Sequence, residues 1–397
     1  MEIYFDHAAT TYVDERVKEA MDRYFSEEYG NPGSFNTVGL RAKNAMDESR
    51  EKTAKILNCT PQEIIFTGSG TESINLAIKG FVRANKNKGN NIITQKTEHE
   101  AVLETCKYLE KEEGFEITYL NVDEYGLVKL DELEKAITNE TILVSIMYAN
   151  NEIGTVQDIK AISEICKKHK IKFHTDACQA AGYLDIDVQN LGIDLMSING
   201  SKLYGPKGIG LLYVKKGTML KPIIHGGGQE FGLRSGTENV PYIVGMAKAL
   251  EIAQGEKEHE VMRLINLRDY IINNILENIP KTFLNGHPSS RLPNNVNITF
   301  LDVEGEAIML MMNEYGICAS SGSACTSKSL DPSHVILATG LPYEAAHGSL
   351  RFTLGMETTE EDVDKVLEVL PGIVKILRDI SPVNVNAEHI IEARRKK

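Results

Sequence analysis

Cys325 lies in a segment whose composition indicates a chemical rather than a packing role for its thiol. The segment ASSGSACTSKS, residues 319–329, consists mainly of small and polar residues, and Lys328 follows the cysteine closely. It has no apolar periodicity that would bury the side chain in a core. The thiolate is the reactive form of cysteine, so a thiol on a pliable loop suits nucleophilic chemistry.

Residues with polar side chains or free backbone donors follow four predicted strands, at the point where each strand ends. They are the turn TGSGTES with Gly70 and Thr71, Asn151 in ANNEIG, Asp176 and Gln179 in TDACQ, and Lys202 in NGSKLYGPKG. Each has an ordinary alternative: a plain strand–helix turn, a turn asparagine, a helix cap or a solvated loop lysine. Because ligands bind beyond the carboxyl ends of strands in open α/β sheets, we expect these groups to converge.

A convergent set of this kind meets the needs of pyridoxal 5′-phosphate. That cofactor requires donors for its phosphate, an anion beside its pyridinium nitrogen, hydrogen bonds to its phenolic oxygen and a lysine for its aldehyde. The sequence contains neither the G-x-G-x-x-G motif of dinucleotide sites nor the G-x-x-x-x-G-K-[ST] motif of ATPases. We predict pyridoxal phosphate as the cofactor and no metal site.

His99 and Arg351 each admit two interpretations. His99 shares helical spacings with Val102, Leu103 and Cys106, which is typical of a core histidine. A planar imidazole could instead stack on the cofactor ring and handle protons. Arg351 alternates with apolar neighbours in GSLRFTLG, so its guanidinium is expected to point away from them. It would then meet either solvent or an anion such as a substrate carboxylate.

Seven strand-like segments must position these groups. They are Ile64–Phe66, Ile92–Thr94, Ile117–Leu120, Ile142–Tyr148, Ile171–Thr175, Leu195–Ile198 and Ile209–Val214. Helical patterns separate most of them, which predicts an α/β fold with a mostly parallel sheet flanked by helices. After about residue 255 the pattern changes to long helices, Val261–Leu276 and Glu360–Leu377, and short strands. We therefore predict a large domain over residues 15–255 and a smaller α+β domain formed by residues 1–14 and 256–397.

Composition and charge argue against several functional classes. The 397 residues are 42% hydrophobic and carry a net charge of −13, which disfavours direct nucleic-acid binding. The basic end ARRKK, residues 393–397, is expected to be a solvated tail. The start MEIYFDHAATT lacks the features of a secretory signal, and no stretch predicts a membrane span. Six cysteines without a C-x-x-C pair predict reduced thiols and a cytoplasmic protein.

The sequence resembles the NifS/IscS-type cysteine desulfurases in ten ordered segments, from about Ile3 to the region of Glu360. The segments are YFDHAATT, YGNPGS, FTGSGTESINLAIKG, TEHEAV, NNEIGTVQ, HTDACQAAG, GSKLYGPKG, GGGQEFGLRSGTENV, SSGSACTS and GSLRFTLG. The resemblance implies a fold-type I pyridoxal-phosphate enzyme of the class V aminotransferase group, which acts on L-cysteine as a homodimer.

The resemblance also implies a role for each residue of the site. Lys202 matches the lysine that bonds to the cofactor, Cys325 the nucleophile that collects sulfur, and Arg351 the group that binds the substrate carboxylate. The implied contacts are the phosphate cradle of Gly70 and Thr71, the stacking and catalytic His99, Asp176 at the pyridinium nitrogen, Gln179 at the phenolic oxygen, Asn151 at cofactor and substrate, Asn199 and Ser201 near the phosphate, and Thr237 reaching the phosphate of the other subunit.

Five positions depart from the commoner pattern of that family. They are Asn36, Asn199, Ser201, Phe231 and Met356. Serine and asparagine can still donate to a phosphate, so these departures bear on cofactor affinity, rate or sulfur acceptor rather than on reaction type.

The implied activity is removal of sulfur from L-cysteine, which gives L-alanine and a persulfide on Cys325. Acceptor proteins for iron–sulfur cluster assembly or tRNA thiolation would then receive the sulfur. Two alternatives stay open: a pyridoxal-phosphate lyase acting on selenocysteine or cystine, and a non-catalytic scaffold for sulfur-acceptor proteins. The presence of both Lys202 and Cys325 argues against the scaffold.

Overall fold

The computed structural model describes residues 2–322, 331–385, 387 and 390 of the chain. Cys325, Lys328 and the ARRKK end therefore lie outside the described residues. The strands are β1 (Ile3–Tyr4), β2 (Ile64–Thr67), β3 (Asn91–Gln95), β4 (Glu116–Leu120), β5 (Thr141–Ser145), β6 (Lys172–Asp176), β7 (Leu195–Asn199), β8 (Gly210–Val214), β9 (Thr282–Leu284), β10 (Asn295–Phe300), β11 (Ile317–Cys318) and β12 (Ser349–Thr353).

Fourteen α-helices are found in the described residues. They are α1 (Glu15–Ser26), α2 (Thr37–Leu57), α3 (Gly70–Asn75), α4 (Phe81–Asn85), α5 (Glu100–Glu113), α6 (Leu130–Ala136), α7 (Ile159–His169), α8 (Val188–Leu191), α9 (Val240–Gly255), α10 (Lys257–Asn278), α11 (Gly305–Glu314), α12 (His334–Ala338), α13 (Tyr343–Ala346) and α14 (Glu360–Ile380). A π-helical turn, Leu76–Gly80, joins α3 to α4, and 3₁₀ turns cover Pro61–Glu63, Gly200–Lys202 and Glu230–Gly232.

The central sheet has seven strands in the order β2-β8-β7-β6-β5-β3-β4. All seven predicted strands form it, with the largest shift at β5, which ends at Ser145 rather than Tyr148. Only β8 runs opposite to the other six strands, so its pairings with β2 and β7 are antiparallel. The link between β7 and β8, residues 200–209, is shorter than the dozen or so residues that a parallel crossover needs. The prediction of a mostly parallel sheet is confirmed.

Burial of nearly every position of the central strands is typical of a sheet covered by helices on both faces. Strands β2, β3 and β5 are buried along their whole length, as expected for strands packed on two sides. The helix patterns predicted near the carboxyl end are also confirmed, although α10 and α14 extend beyond the predicted bounds. No helix in the described ranges is both long and apolar enough to cross a bilayer.

A smaller antiparallel sheet, β12-β10-β9, follows the central one in the chain. The amino-terminal strand β1 pairs in parallel with β11, and Asp6 forms a bridge with Thr353 at the end of β12. The start of the chain therefore packs among elements from its last third. One apolar core runs from Phe173 in the central sheet to Phe352 in the smaller sheet. The domain boundaries at residues 15 and 255 stay a prediction.

Candidate active site

Nine of the predicted site residues line one cleft at the carboxyl end of the central sheet. They are Gly70, Thr71, His99, Asn151, Asp176, Gln179, Asn199, Lys202 and Arg351. These residues lie at or just after the ends of five strands of the central sheet, β2, β3, β5, β6 and β7, and in β12, so the parallel topology brings them together. Ser201 and Thr237 do not line the cleft, and Cys325 lies outside the described residues.

The turn after β2 presents backbone donors to the cleft. Ser69 is the N-cap of α3, and Gly70 and Thr71 lie in the first turn of this helix. N–H groups in a first turn have no carbonyl acceptor within the helix, so they can donate to a ligand. A methyl group on Gly70 would lie 2.8 Å from Cys178 Sγ and 3.1 Å from Asn199 Cβ. The close approach of these neighbours explains why glycine occupies this position.

Asp176 ends β6 and is buried, with 5% of its surface exposed. Its Oδ1 accepts the N–H of Cys178 at 2.9 Å, which fixes the carboxylate in a turn rather than at a helix start. Gln179 lies in the same turn, and its Nε2 donates to the Ala8 carbonyl at 2.9 Å. The helix-cap interpretation of Asp176 is wrong, because the turn continues without an α-helix until α8.

Lys202 ends the 3₁₀ turn that follows β7, and its ammonium group donates to the Ala9 carbonyl. The Asn199 Oδ1 caps this turn by accepting the Ser201 N–H at 3.3 Å. The Ser201 carbonyl accepts the N–H of Thr11 at 2.9 Å. Ser201 thus joins the turn to the amino-terminal segment through its backbone. Lys202 lies in the cleft wall, so the interpretation as a solvated loop lysine is wrong.

His99 is the N-cap of α5 and not a member of its interior. Its Nδ1 accepts the Ala101 N–H at 3.0 Å, so the ring proton lies on Nε2. This hydrogen bond holds the backbone extended at φ −65° and ψ 148°, which places the imidazole in the cleft wall. The predicted helical face shared with Val102 and Cys106, and with it the core interpretation, is wrong for this physical reason.

Glu98, immediately before His99, is a buried carboxyl group that the sequence analysis missed. Burial, together with the smaller effect of the negative charge of Asp176, raises the pKa of Glu98 to about 8. Its Oε1 accepts hydrogen bonds from the Met147 N–H at 2.6 Å and from Gln95 Nε2 at 2.9 Å, which oppose the increase. Oε2 has no partner among the described residues, so the proton of the neutral acid belongs there.

Arg351 faces an anion of the protein itself. Only 2% of its surface is exposed, which excludes the interpretation that it points to solvent. Its Nη2 forms an ion pair with Asp6 Oδ1 at 2.6 Å, and its Nη1 donates to the Asn151 carbonyl at 3.0 Å. Asn151 Oδ1 is also buried, and no described residue pairs with it.

The two ends of the described chain that flank residues 323–330 both reach the cleft wall. On the amino-terminal side of these residues, Ser320 exchanges backbone hydrogen bonds with Arg351 at 2.7 and 3.1 Å. On the carboxyl-terminal side, Ser333 donates to Glu152 Oε2, and His334 Nε2 lies 3.0 Å from the Glu98 carbonyl. A Cβ on Gly322 would lie 3.2 Å from the same Glu152 oxygen. Glu152 and His334 line the cleft, and the sequence analysis assigned neither a role.

The glycine-rich loop before α9 is held to helices α2 and α3 by two ion pairs. Glu230 accepts two hydrogen bonds from Arg50, at 2.6 and 2.9 Å, and both side chains are almost fully buried. Arg234 pairs with Glu72 of α3 at 2.9 Å. The loop ends near Thr237, which is exposed and lies apart from the cleft lining.

Three of the positions that depart from the family pattern have local structural roles. Asn36 caps α2 by accepting the Gly39 N–H at 2.9 Å. Phe231 is exposed, and its ring lies 5.1 Å from the guanidinium carbon of Arg50. Met356 donates its backbone N–H to the Tyr204 hydroxyl at 2.8 Å. Asn36 and Phe231 therefore act through their side chains, whereas Met356 acts through its backbone.

The cysteines within the described residues keep their protons at neutral pH. Burial raises the pKa values of Cys59, Cys106 and Cys166 to about 12. Cys178 lines the cleft, but burial also raises the pKa of its thiol well above the ordinary value. Burial raises the pKa of Cys318 as well. None of these thiols in the described residues is therefore activated as a nucleophile.

Comparison with known proteins assigns the family. The family model described as Aminotransferase class-V matches residues 3–366. The chain belongs to this family. The resemblance inferred from the sequence is therefore confirmed.

Relatives of this class-V aminotransferase chain include the cysteine desulfurase IscS of Methanosarcina thermophila. The two are 54% identical over 381 residues, which cover 96% of this chain and 94% of the relative. A solved structure described as a NifS-like protein has a TM-score of 0.89 at 40% identity and covers 95% of this chain and 100% of its own. Another, SspA in complex with cysteine, has a TM-score of 0.79 at 39% identity, with coverages of 89% and 99%.

These similarities place the chain among the IscS-type cysteine desulfurases of the class-V family, whose members depend on pyridoxal phosphate. The fold prediction, a fold-type I transferase with a mostly parallel sheet, is confirmed by the same structures.

Proposed function

We propose that this protein removes sulfur from L-cysteine, releases L-alanine and holds the sulfur as a persulfide on Cys325. The observation that carries the proposal is the convergence of Lys202, Asp176, His99 and Arg351 in one cleft. A lysine, an anion, an imidazole and a guanidinium together supply what amino-acid chemistry on pyridoxal phosphate requires. The named IscS relatives support the same activity.

The donor set of the cleft fits pyridoxal phosphate. The N–H groups of Gly70 and Thr71 would bind the phosphate, and the close packing around Gly70 leaves no room for a side chain there. Asp176 would hold the pyridinium proton, because a buried carboxylate favours a nearby cation. Gln179 has a second amide hydrogen for the phenolic oxygen. Lys202 supplies the amine for the aldehyde.

Asn199, Ser201 and Thr237 complete the proposed cofactor contacts in different ways. Asn199 lines the cleft beside Gly70 and is near enough to support the phosphate end. Ser201 has its backbone in the turn that carries Lys202, and its hydroxyl is the proposed phosphate donor. Thr237 is exposed on an anchored loop, which supports a contact across a homodimer rather than within one subunit.

When bound, pyridoxal phosphate supplies an electron sink for the pair left at Cα of the amino acid. Lys202 removes the Cα proton and returns a proton to the product as general base and acid. His99 would stack on the ring of the bound cofactor, and its Nε2–H would serve as a proton donor within the cleft. Arg351 binds the substrate carboxylate, and Asn151, whose Oδ1 accepts no hydrogen bond from a described residue, orients the substrate.

The sulfur step is a transfer between thiols without an external oxidant. The Cys325 thiolate attacks the substrate sulfur, a sulfur–sulfur bond forms, and the carbon–sulfur bond breaks with its electrons left on the carbon skeleton. Protonation of that skeleton gives L-alanine, so one thiol of substrate and one of enzyme become L-alanine and a persulfide. The positions of Gly322 and Ser333 at the cleft rim support this role, since they flank the segment that contains Cys325.

The proposal extends to partners and location. A homodimer acting in the cytoplasm would pass persulfide sulfur to acceptor proteins for iron–sulfur cluster assembly or tRNA thiolation. The net charge of −13 supports protein acceptors over direct contact with nucleic acid. The large domain, residues 15–255, would hold the cofactor, and the smaller one would carry Arg351 and Cys325.

The test compares three proteins: wild type, Lys202→Ala and Cys325→Ser. We expect wild type reconstituted with pyridoxal phosphate to release L-alanine from L-cysteine, and each variant to lose at least about 10³-fold in that rate. The absorbance of the cofactor reports whether it is bound in each case. Alanine release from cysteine that persists in Cys325→Ser would contradict the thiol mechanism.

The two alternative functions give different results in the same assays. A lyase for selenocysteine or cystine would retain product release from those substrates in Cys325→Ser. A non-catalytic scaffold would stay colourless after pyridoxal phosphate is added and release no alanine. The presence of both Lys202 and a fitted donor set favours the desulfurase over the scaffold.

A further inference from the structure

The carboxylate-binding arginine is already paired with a carboxylate of the protein. Arg351 is 2% exposed, and its Nη2 lies 2.6 Å from Asp6 Oδ1. Its Nη1 donates to the Asn151 carbonyl, whereas its Nε is buried and has no partner among the described residues. A buried guanidinium donor without a partner is costly, so this side of the group can take an acceptor beyond those that the described residues supply.

Asp6 is held in place by its own backbone and not by the arginine alone. Its carbonyl accepts hydrogen bonds from the Tyr4 hydroxyl at 3.0 Å and from the Ala9 N–H at 3.0 Å. The residue also forms a backbone bridge with Thr353, two positions after Arg351. The backbone of Asp6 is therefore fixed, and its carboxylate, with a side-chain exposure of 19%, lies against Arg351 of the cleft lining.

The edge of Arg351 that a free carboxylate would use is half occupied. The Nε–H and Nη2–H bonds of a guanidinium are parallel, and together they bind one carboxylate through two hydrogen bonds. Asp6 takes Nη2, and Nε remains for another acceptor. The α-carboxylate of an amino acid that binds both donors must therefore displace the Asp6 oxygen or share Nη2 with it.

We propose that Asp6 is a specificity-determining residue that competes with the substrate carboxylate for Arg351. The proposal rests on the proposed function, because it takes an amino-acid carboxylate as the ligand of Arg351. Asp6 compensates the buried guanidinium while the cleft is empty of substrate. It also weakens binding of every carboxylate, because two anions that face one cation repel each other. Only ligands with further contacts, such as an amine and a thiol, bind tightly enough to overcome this competition.

The competition predicts an unusual direction for a substitution in an active site. Asp6→Asn keeps the shape of the side chain and an oxygen for Nη2 but removes the negative charge. The variant is expected to bind amino acids about tenfold more tightly than wild type, because like-charge repulsion at this range is substantial. Ligands without a carboxylate should be unaffected, since they do not approach Arg351.

The experiment titrates the pyridoxal-phosphate holoenzyme with L-alanine and with ethylamine, its counterpart without a carboxylate. Dissociation constants are measured by calorimetry and by the change in cofactor absorbance. Asp6→Asn should lower the constant for L-alanine about tenfold and leave that for ethylamine unchanged. Glu357→Gln is the matched control, because Glu357 pairs with the adjacent His7 and not with Arg351. It should change neither constant.

Three results would overturn the inference. They are weaker L-alanine binding in Asp6→Asn, an equal change for ethylamine, and a wild type that has no affinity for L-alanine. Melting temperatures check folding, and Asp6→Ala repeats the titration if the asparagine variant does not fold. Alanine release from L-cysteine is measured separately in wild type. Its absence, with the tenfold difference intact, would refute the proposed function and leave the role of Asp6 standing.

Discussion

Replacing Glu98 by glutamine is expected to change how the stability of the protein depends on pH. The Glu98 side chain is buried beside the cleft, and the described residues provide it with no cationic partner. Burial raises the pKa of Glu98 from 4.5 to about 8. The folded protein therefore keeps a proton on this group at pH values where the unfolded chain has lost it. Glutamine imitates the protonated form, because its oxygen can accept the same hydrogen bonds from Met147 and Gln95.

The sign and size of the effect follow from proton linkage. Between pH 4.5 and about 8 the folded state binds more protons than the unfolded state, so the free energy of unfolding falls as the pH rises. Each pH unit in this window costs wild type about 1.4 kcal/mol relative to Glu98→Gln. The whole window amounts to about 5 kcal/mol, and about 3 kcal/mol of it has accumulated by pH 7. Above pH 8 the difference should become constant.

The assay is urea unfolding at closely spaced pH values from about 5 to 9, with wild type and Glu98→Gln measured in parallel. Glu104→Gln is the matched control, because Glu104 lies on α5, the helix that follows Glu98, with 61% of its side chain exposed. Its curve should run parallel to that of wild type. Parallel curves for Glu98→Gln and wild type would refute the reasoning, since they would show that Glu98 ionises normally. A neutral Glu98 leaves the nearby negative charge to Asp176, where the cofactor needs it.

Other predictions concern packing and reactivity near the cleft. Glu230→Ala leaves the buried Arg50 without its ion-pair partner and should lower the free energy of unfolding in urea by about 3–5 kcal/mol. The double variant Arg50→Met with Glu230→Leu should restore most of that stability, and a loss below about 1 kcal/mol in Glu230→Ala would contradict the prediction. Gly70→Ala should weaken pyridoxal phosphate binding at least about tenfold in a cofactor titration, because a methyl group meets Cys178 Sγ at 2.8 Å; an unchanged affinity would show that the methyl group is accommodated. Cys178 should resist alkylation by iodoacetamide near neutral pH, because burial raises its pKa; modification at the rate of a free thiol, detected by peptide mass spectrometry, would refute it.

The sequence predicted the central sheet well because its strands are short, nearly continuous apolar runs. Chain order and strand ends were then enough to bring Lys202, Asp176 and Asn151 to one edge. The sequence also contains a signal for the antiparallel direction of β8, namely the short link over residues 200–209. The prediction of a mostly parallel sheet did not use this signal. Local sequence patterns were therefore sufficient to predict those strands whose positions are set by burial of their side chains.

Local patterns failed where one hydrogen bond decides the conformation. His99 has the spacing of a helical core residue, yet its Nδ1 bond to the Ala101 N–H makes it a helix cap. Histidine is not among the residues preferred at this position, so propensity could not reveal the bond. The same limit applies to Glu98, whose neutral state depends on burial by distant parts of the chain.

The partner of Arg351 shows what kind of information a single sequence lacks. Asp6 and Arg351 are separated by 345 positions, and they meet because β1 pairs with β11 and Asp6 bridges to Thr353. Alternation in β12 indicated that the guanidinium faces an anion or solvent, but not that the protein provides the anion. The choice matters for function, because an arginine open to solvent would bind any carboxylate. An arginine paired with Asp6 instead makes each carboxylate compete, so affinity comes to depend on the amine and the thiol of the substrate.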